Sequence, residues 1–276
     1  MTLEENVARH YASRNLLQRI YDACKVAGAD PDHLTVDDLK PVDEFHTGGL
    51  EATTALLDQL SITPDMVVID LGCGIGGTAR HIVHRYGSEV QGVDLTREFV
   101  EAGQALNDKL FLNDRISLQV GSATEAPFEN ETADLVTLFH VGMNIADKEG
   151  LFAEAARVLK PGGHFALFEV MRDEDTSDLV FPLPWSMLPE TSHVVSPDAY
   201  RAAATAAGLE LIAERERRQF ALDFFERAFR RMAGGGTPPL GIHLLMGETA
   251  GERLKNYVAN VEARRIAPVE MIFRRP

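Results

Sequence analysis

The sequence predicts an α/β protein with a seven-stranded, mostly parallel sheet, helices on both faces, and a lid inserted before the last strand. Three observations lead to this prediction. Short β-branched apolar segments alternate with helical patterns, a glycine-rich loop joins the first of these segments to a helix, and two late strand-like segments are separated by a long helical stretch.

The alternating region predicts the core of the sheet. Apolar runs at 66–71, 88–94, 115–120, 133–139 and 164–170 have the length and composition of buried strands. Helical patterns at 76–86, 97–111 and 147–159 separate most of them. Strands that alternate with helices favour a parallel sheet, and we assign residues 61–170 to this core. The five-residue segment "LKPGG" at 159–163 is expected to be a structural turn before the fifth strand.

The flanking segments predict a helical cap and a substrate-side half within one domain, 1–276. Residues 1–60 contain a helical pattern at 3–27 and, after the glycines of "HTGGL", a second one at 50–60. Residues 171–276 begin with the proline-rich "FPLPWSMLPE", which excludes a regular element. A helix at 197–207 and a strand at 209–218 follow. The lid, 219–268, consists of two helices broken by "GGGTPP", and "PVEMIF" forms the final strand.

The composition disfavours several classes of partner and cellular location. The chain of 276 residues carries a formal net charge of −15, which disfavours a nucleic-acid backbone as partner. It has no long apolar segment, no signal-peptide pattern and only two cysteines, so we expect a cytoplasmic protein without a membrane span or disulfide framework. No Cys/His cluster has metal-ligand spacing, and no metal is expected. A small-molecule partner is favoured, and the sequence leaves the oligomeric state open.

The glycine loop fits two patterns with different ligands. Gly72, Gly74 and Gly77 match the dinucleotide pattern G-x-G-x-x-G, whereas the first two with Gly76 match G-x-G-x-G. Asp70 places a carboxylate at the loop mouth, where it repels a phosphate and attracts an ammonium group. Asp94 ends the next strand, at the spacing from which an acid reaches ribose hydroxyls. These two acids favour a nucleoside with an amino-acid tail over a dinucleotide.

The motifs "VVIDLGCGIGG", "VQGVDL" and "RVLKPGGHFALFE" resemble, in order, those of the class I S-adenosylmethionine-dependent methyltransferases, whose core is Rossmann-like. "DEFHTGGLEAT", "FHVGMNIADK" and "FPLPW" are similar to the sarcosine/dimethylglycine and ubiquinone-type group of small-molecule methyltransferases. The resemblance implies S-adenosylmethionine as cofactor. It assigns cofactor contacts to Asp70, Gly72, Gly74, Asp94, Leu95, Ser122, Ala123 and Phe139.

Within that resemblance, Asp70 and the loop backbone hold the methionine part, Asp94 holds the ribose, and Leu95 lies beside the adenine. In "VGSATEAPF", Ser122 occupies the position of the acidic residue that usually meets the adenine amino group. Ser122 with the Ala123 backbone, or a neighbouring residue, is expected to replace that acid.

Methyl transfer from a sulfonium is an in-line displacement that depends mainly on positioning, with a base aiding hydroxyl or thiol acceptors. His140, at the end of the fourth strand, is the candidate catalytic base. His46, Asn144 and Trp185 are candidate substrate contacts. An amine nitrogen is the favoured acceptor. The alternatives are O-, C- or S-methylation of a phenol, quinol or thiol, a non-catalytic S-adenosylmethionine-binding protein, and a nicotinamide-dependent oxidoreductase.

Overall fold

The computed structural model describes residues 4–5 and 15–276, and it contains the predicted sheet. The seven strands lie in the order β3-β2-β1-β4-β5-β7-β6, with only β7 antiparallel to its neighbours. Their bounds are β1 Val67–Leu71, β2 Glu89–Asp94, β3 Ile116–Val120, β4 Ala133–Phe139, β5 Leu159–Arg172, β6 Glu210–Glu216 and β7 Ile266–Arg274. The predicted fold class is confirmed.

One strand begins earlier than its apolar run indicates. The sequence predicts a turn at 159–163, but β5 starts at Leu159, because that residue already pairs with Ala133. The next pair is Leu135 with His164, so residues 160–163 form an irregularity within the strand. Gly162 adopts a positive φ of 84° in this bulge, a conformation that favours glycine.

The helices follow the predicted order with additions. Their bounds are α1 Leu16–Val26, α2 Val36–Asp43, α3 Gly49–Leu57, α4 Gly77–Tyr86, α5 Arg97–Lys109, α6 Lys148–Val158, α7 Pro197–Ala206, α8 Arg218–Gly235, α9 His243–Met246 and α10 Ala250–Glu262. Short 3₁₀ turns lie at Gly142–Asn144 and Pro189–Thr191. The helix predicted at 3–27 is represented by α1 in its second half, and residues 6–14 lie outside the described residues.

Helix α2 is absent from the sequence prediction, although its start carries a sequence signal. The Thr35 side chain accepts the Asp38 backbone N–H and the Asp38 carboxylate accepts the Thr35 N–H, which is a capping box. Pro41 lies inside the helix and obscures the pattern.

A buried ion pair fixes α2 against α4. Arg80 is fully buried and donates to both oxygens of Asp43, at 3.0 Å from Nε and 2.6 Å from Nη2. Its Nη1 donates to Asn107 of α5 at 2.8 Å. The bidentate geometry and the third hydrogen bond satisfy the guanidinium, which is the condition for burying such a pair. The segment after α2 is thereby held beside the glycine loop.

The lid joins two strands that pair with each other. β6 and β7 are antiparallel neighbours, and α8, α9 and α10 connect them. β7 begins at Ile266, so the lid ends before the residue 268 expected from the sequence. Phe225 of α8 and Tyr257 of α10 pack in one buried cluster with Trp185 of the proline-rich loop. The lid is therefore joined to the protein by apolar packing as well as by its two ends.

In the described part of the chain, no helix has both the length and the apolar character needed to cross a membrane. Cys24 and Cys73 are buried free thiols.

Two helical glycines provide a matched test of the α2–α4 packing. A side chain on Gly77 would overlap the backbone carbonyl of Asp43, whereas one on Gly251 in α10 would meet nothing within 4 Å. We expect Gly77→Ala to lower the free energy of unfolding by about 1–3 kcal/mol through overpacking. Gly251→Ala should raise it by up to about 1 kcal/mol, since alanine is the better helix former. Urea denaturation measures both, and equal effects would contradict the packing assignment.

Candidate active site

Parallel pairing brings the functional ends of three strands to one edge of the sheet. β1 lies between β2 and β4, with Asp70 opposite Gly92 and Thr137. A cavity of about 280 Å³ opens at this edge, below the lid. All residues proposed from the sequence line it: His46, Asp70, Gly72, Gly74, Asp94, Leu95, Ser122, Ala123, Phe139, His140, Asn144 and Trp185.

Glycine occupies each of three positions in the loop for a different structural reason. Gly72 has a φ of 79°, and a side chain there would overlap Val141. Gly74 has a φ of 53°, and a methyl group added to its Cα would meet nothing within 4 Å, so its backbone faces open cavity. Gly76 caps α4 with a φ of 82°. The loop is tied to β2 because the N–H groups of Gly72 and Cys73 donate to Val93 O at 2.7 and 3.0 Å.

Asp70 lies at the end of β1 and is 2% exposed. The Thr137 hydroxyl donates to Asp70 Oδ1 at 2.6 Å. Burial outweighs this hydrogen bond and raises the pKa of Asp70 to about 7. A cation beside it would reverse the balance and favour the carboxylate.

Asp94, at the end of β2, is held by backbone donors. Gly74 N donates to Oδ2 at 2.9 Å and Thr96 N donates to Oδ1 at 2.8 Å. Burial nevertheless raises the pKa of Asp94 above its ordinary value. The two amides fix the carboxylate orientation, and each oxygen retains a lone pair for a ligand hydroxyl.

Ser122 contacts a carboxylate from the start of the chain. Its hydroxyl donates to Glu4 Oε1 at 2.5 Å and accepts the Thr124 N–H at 3.2 Å. Glu4 lines the same cavity. Sequence reasoning did not identify Glu4, because it is 118 residues away and belongs to no motif.

His140 follows β4 with a positive φ of 54°, an uncommon conformation for a residue with a side chain. Its N–H donates to Phe168 O at 2.8 Å, which holds the backbone. The ring packs 5.0 Å from that of Phe168 and 5.8 Å from that of His46. Nε2 is buried and has no hydrogen-bond partner among the described residues. Burial, with a smaller contribution from His46, places the pKa of His140 well below its ordinary value, so the ring is neutral at pH 7.

His46 belongs to a buried polar network that leaves only its ring face for a ligand. Its Nε2 lies 2.8 Å from Glu44 Oε2, and its Nδ1 lies 3.2 Å from Thr47 O. The Thr53 hydroxyl donates to the same Glu44 oxygen at 2.9 Å. Burial opposes ionisation of Glu44, but these hydrogen bonds outweigh it and lower its pKa. The His46 ring stacks on Phe139 with centroids 5.1 Å apart.

The side of the cavity towards the lid is mostly aromatic and apolar. Trp185 is 3% exposed, donates from Nε1 to Ser192 Oγ at 2.9 Å and packs edge-on against Tyr257. The Tyr257 hydroxyl accepts a hydrogen bond from Thr47 at 2.8 Å. Phe225 and Tyr257, which sequence reasoning missed, line the cavity from the lid helices. Their helical spacing indicates a buried face but does not show which cavity that face covers.

The loop that carries His140 and Asn144 is held from behind by Glu169. Its Oε1 accepts the N–H groups of Val141 and Gly142 at 2.7 and 2.9 Å. Oε2 is buried and has no hydrogen-bond partner among the described residues. Burial raises the pKa of Glu169 to about 7. This acid thus orders the loop between β4 and α6 without lining the cavity.

This fold and this glycine loop are the ones that the resemblance to the class I S-adenosylmethionine-dependent methyltransferases predicts. Residues 69–167 match the family described as a methyltransferase domain, as the sequence motifs predict. This match agrees with S-adenosylmethionine as the predicted cofactor. The family resemblance carried by the motifs is therefore confirmed.

Relatives differ in the atom they methylate. A sterol 24-C-methyltransferase of Yarrowia lipolytica is 33% identical over 42% of this chain and 31% of its own length. A sarcosine/dimethylglycine N-methyltransferase of Halorhodospira halochloris is 28% identical over 64% of this chain and 62% of its own. This chain thus spans less than two thirds of either relative.

Among solved structures, a geranyl diphosphate C-methyltransferase of Streptomyces coelicolor, with a bound diphosphate substrate, shares the fold. It covers 100% of this chain, and 99% of its own length is matched, with a TM-score of 0.71 and 18% identity. Similarity at this level concerns the fold alone.

The raised pKa of Glu169 predicts a pH-dependent stability. Its pKa is higher folded than unfolded, so its contribution is fully present below about pH 4.5 and is lost as pH rises through about 7. We expect Glu169→Gln to remove that loss while keeping an acceptor for Val141 and Gly142. Between pH 5 and pH 8 the variant should lose about 2 kcal/mol less free energy of unfolding than the wild type.

Denaturation in urea at both pH values checks this expectation, with the exposed acid in Glu129→Gln as control. Identical pH dependence in Glu169→Gln and wild type would contradict it.

Proposed function

We propose that the protein transfers the methyl group of S-adenosylmethionine to a small-molecule acceptor, with an amine nitrogen as the favoured acceptor atom. One observation carries the proposal. The buried carboxylate of Asp70 and the imidazole of His140 line a single cavity, so a donor bound at the first group can present its methyl towards the second.

The cofactor fits the groups on the core side of the cavity. Asp70 pairs with the ammonium of the methionine part, and the open backbone at Gly74 admits its close approach, beside Gly72. Asp94 accepts the ribose hydroxyls. Leu95 and Ala123 provide apolar contacts for the adenine, Ser122 lies at its edge, and Phe139 forms the floor beneath the sulfonium.

The reaction needs orientation and a proton acceptor. The acceptor lone pair forms a bond to the methyl carbon as the carbon–sulfur bond breaks, and S-adenosylhomocysteine leaves. A methylated amine then carries a proton that it must release, and a neutral imidazole can take it. His140 is neutral at pH 7 and lines the cavity, which supports this role. Asn144 and the ring faces of His46 and Trp185 orient the acceptor.

The charges around the cavity favour an acceptor without an anionic group. None of the described lining residues is Lys or Arg, whereas Asp and Glu side chains contribute repeatedly. Arginines of the lid region are paired elsewhere, since Arg215 and Arg217 bind Glu270 and Arg227 binds Glu51. Aromatic rings on the lid side suit an apolar or cationic body. This chain therefore differs from relatives named for phosphorylated or carboxylated substrates.

A hydroxyl acceptor is the second candidate, because the same neutral imidazole of His140 can remove a phenol proton during attack. Methylation of carbon draws support from relatives named for it, but no described residue of the cavity lining favours carbon or sulfur over nitrogen. A dinucleotide is disfavoured by the carboxylate at the loop mouth, and a purely binding role leaves the free histidine without a purpose. The proposal includes a cytoplasmic location and a small-molecule partner, without a nucleic acid.

Asp70 makes cofactor affinity dependent on pH. Because its pKa is about 7 in the free protein, it is largely protonated below that value and cannot pair with an ammonium group. The affinity for S-adenosylhomocysteine should fall about tenfold for each pH unit below about 7. Asp70→Asn should bind more weakly at pH 8 and show no such fall. Calorimetry between pH 5.5 and 8 measures this, and an unchanged pH dependence in the variant would exclude Asp70 as the ammonium partner.

The acceptor class and the role of His140 are tested together by a product assay. Amines, phenols, quinols and thiols, each with and without a carboxylate or phosphate, are screened for S-adenosylhomocysteine release. We expect turnover of an uncharged or amine acceptor and little with its anionic analogue. His140→Ala should lower kcat/KM by roughly 10²–10⁴ while cofactor affinity stays unchanged.

His164→Ala is the control, because His164 lies at the opposite end of β5 and outside the cavity lining. Wild-type turnover by His140→Ala would refute the assigned role. Preferred methylation of the anionic analogues would refute the acceptor class.

A further inference from the structure

The cavity lining contains a carboxylate, that of Glu4, which has no part in the methyl-transfer chemistry. Leu95, Phe99 and Ala123 provide apolar walls of the lining. Of the carboxylates among the described lining residues, Asp43 pairs with Arg80 and Asp147 caps α6, which leaves Glu4 besides Asp70 and Asp94. An adenine held past the ribose offers an exocyclic amino group, a donor that needs an acceptor at the edge of the ring. Apolar walls fix the ring plane but do not distinguish one purine from another.

The position of Glu4 is defined by a hydrogen bond across the chain. Ser122 Oγ donates its one proton to Glu4 Oε1 at 2.5 Å, and Ser122 Oγ in turn accepts the Thr124 N–H. A carboxylate has about four acceptor sites, so Ser122 leaves several of them for a ligand. Ser122 thus anchors the acid rather than competing with it.

We propose that the Glu4 carboxylate accepts a hydrogen bond from the adenine amino group and makes the site selective for amino-purine over oxo-purine nucleosides. This rests on the proposed function, because it requires the nucleoside to be bound in this cavity. The carboxylate repels an oxo group at the same position, since neither partner carries a hydrogen there. Glu4 is therefore a specificity residue supplied from the start of the chain.

The geometry also predicts how the contact can be restored. Ser122 Oγ lies within hydrogen-bond distance of the Glu4 oxygen, so an aspartate at 122 carries its carboxylate to nearly the same place. Ser122→Asp in a Glu4→Ala background should recover the preference for the amino-purine. A residue that acts only by ordering its own segment would not be rescued in this way.

The test compares S-adenosylhomocysteine with S-inosylhomocysteine by calorimetry. The inosyl compound has an oxo group in place of the amino group and a proton on the adjacent ring nitrogen. Wild type should prefer the adenosyl compound by roughly 30-fold. Glu4→Ala should weaken the adenosyl compound about tenfold and strengthen the inosyl compound about threefold, which removes the preference. Glu4→Gln should also lose the preference, since an amide can donate to the oxo group. Glu125→Ala removes an exposed acid near Ser122 that does not line the cavity, and it should behave as wild type.

Selective loss in Glu4→Ala with recovery in the double variant supports the proposal. Equal weakening of both nucleosides, or no weakening of either, overturns it while leaving the proposed function intact. If wild type binds neither nucleoside, the proposed function fails and this inference fails with it.

Discussion

Parallel pairing of β1 with β2 on one side and β4 on the other is the constraint on which the site depends. It places the carboxyl ends of three strands at one edge, so Asp70, Asp94 and His140 meet although the chain separates them. At the end of each strand, a local feature of the backbone orients the functional residue. For β1 this is the glycine loop, for β2 a pair of backbone amides on Asp94, and for β4 the positive φ of His140.

Two buried acids behind that edge differ in how they use their hydrogen-bonding capacity. Glu169 directs one carboxylate oxygen to the backbone after β4 and orders the loop that carries His140. Asp70 accepts one hydroxyl and keeps cavity-facing capacity. Desolvation raises the pKa of both to about 7, so each is poorly stabilised as an anion in the free chain. A cationic ligand relieves this only for Asp70, since Glu169 does not line the cavity.

Sequence reasoning found the core side of the site because the information there is local. The glycines, Asp70 and Asp94 lie within one strand–loop–helix–strand unit, where spacing alone fixes their relation. It found the sheet for the same reason, and it missed α2 and the bulge in β5. Pro41 hides the helical pattern of α2, and the bulge depends on which residue of β4 each residue of β5 meets. The bulge is therefore not visible in the sequence of β5 alone.

The acceptor side was harder to predict because its contacts join distant parts of the chain. Thr47 and Tyr257 are 210 residues apart, and Glu4 and Ser122 are 118 apart. His46 shows the consequence. The sequence makes it a candidate substrate contact, but Glu44 and Thr47 occupy both ring nitrogens, which leaves the ring face. With His46 committed in this way, His140 is the histidine to which we assign the proposed transfer of a proton from the acceptor. The different roles proposed for the two histidines thus follow from Glu44, a buried acid to which the sequence analysis assigns no role.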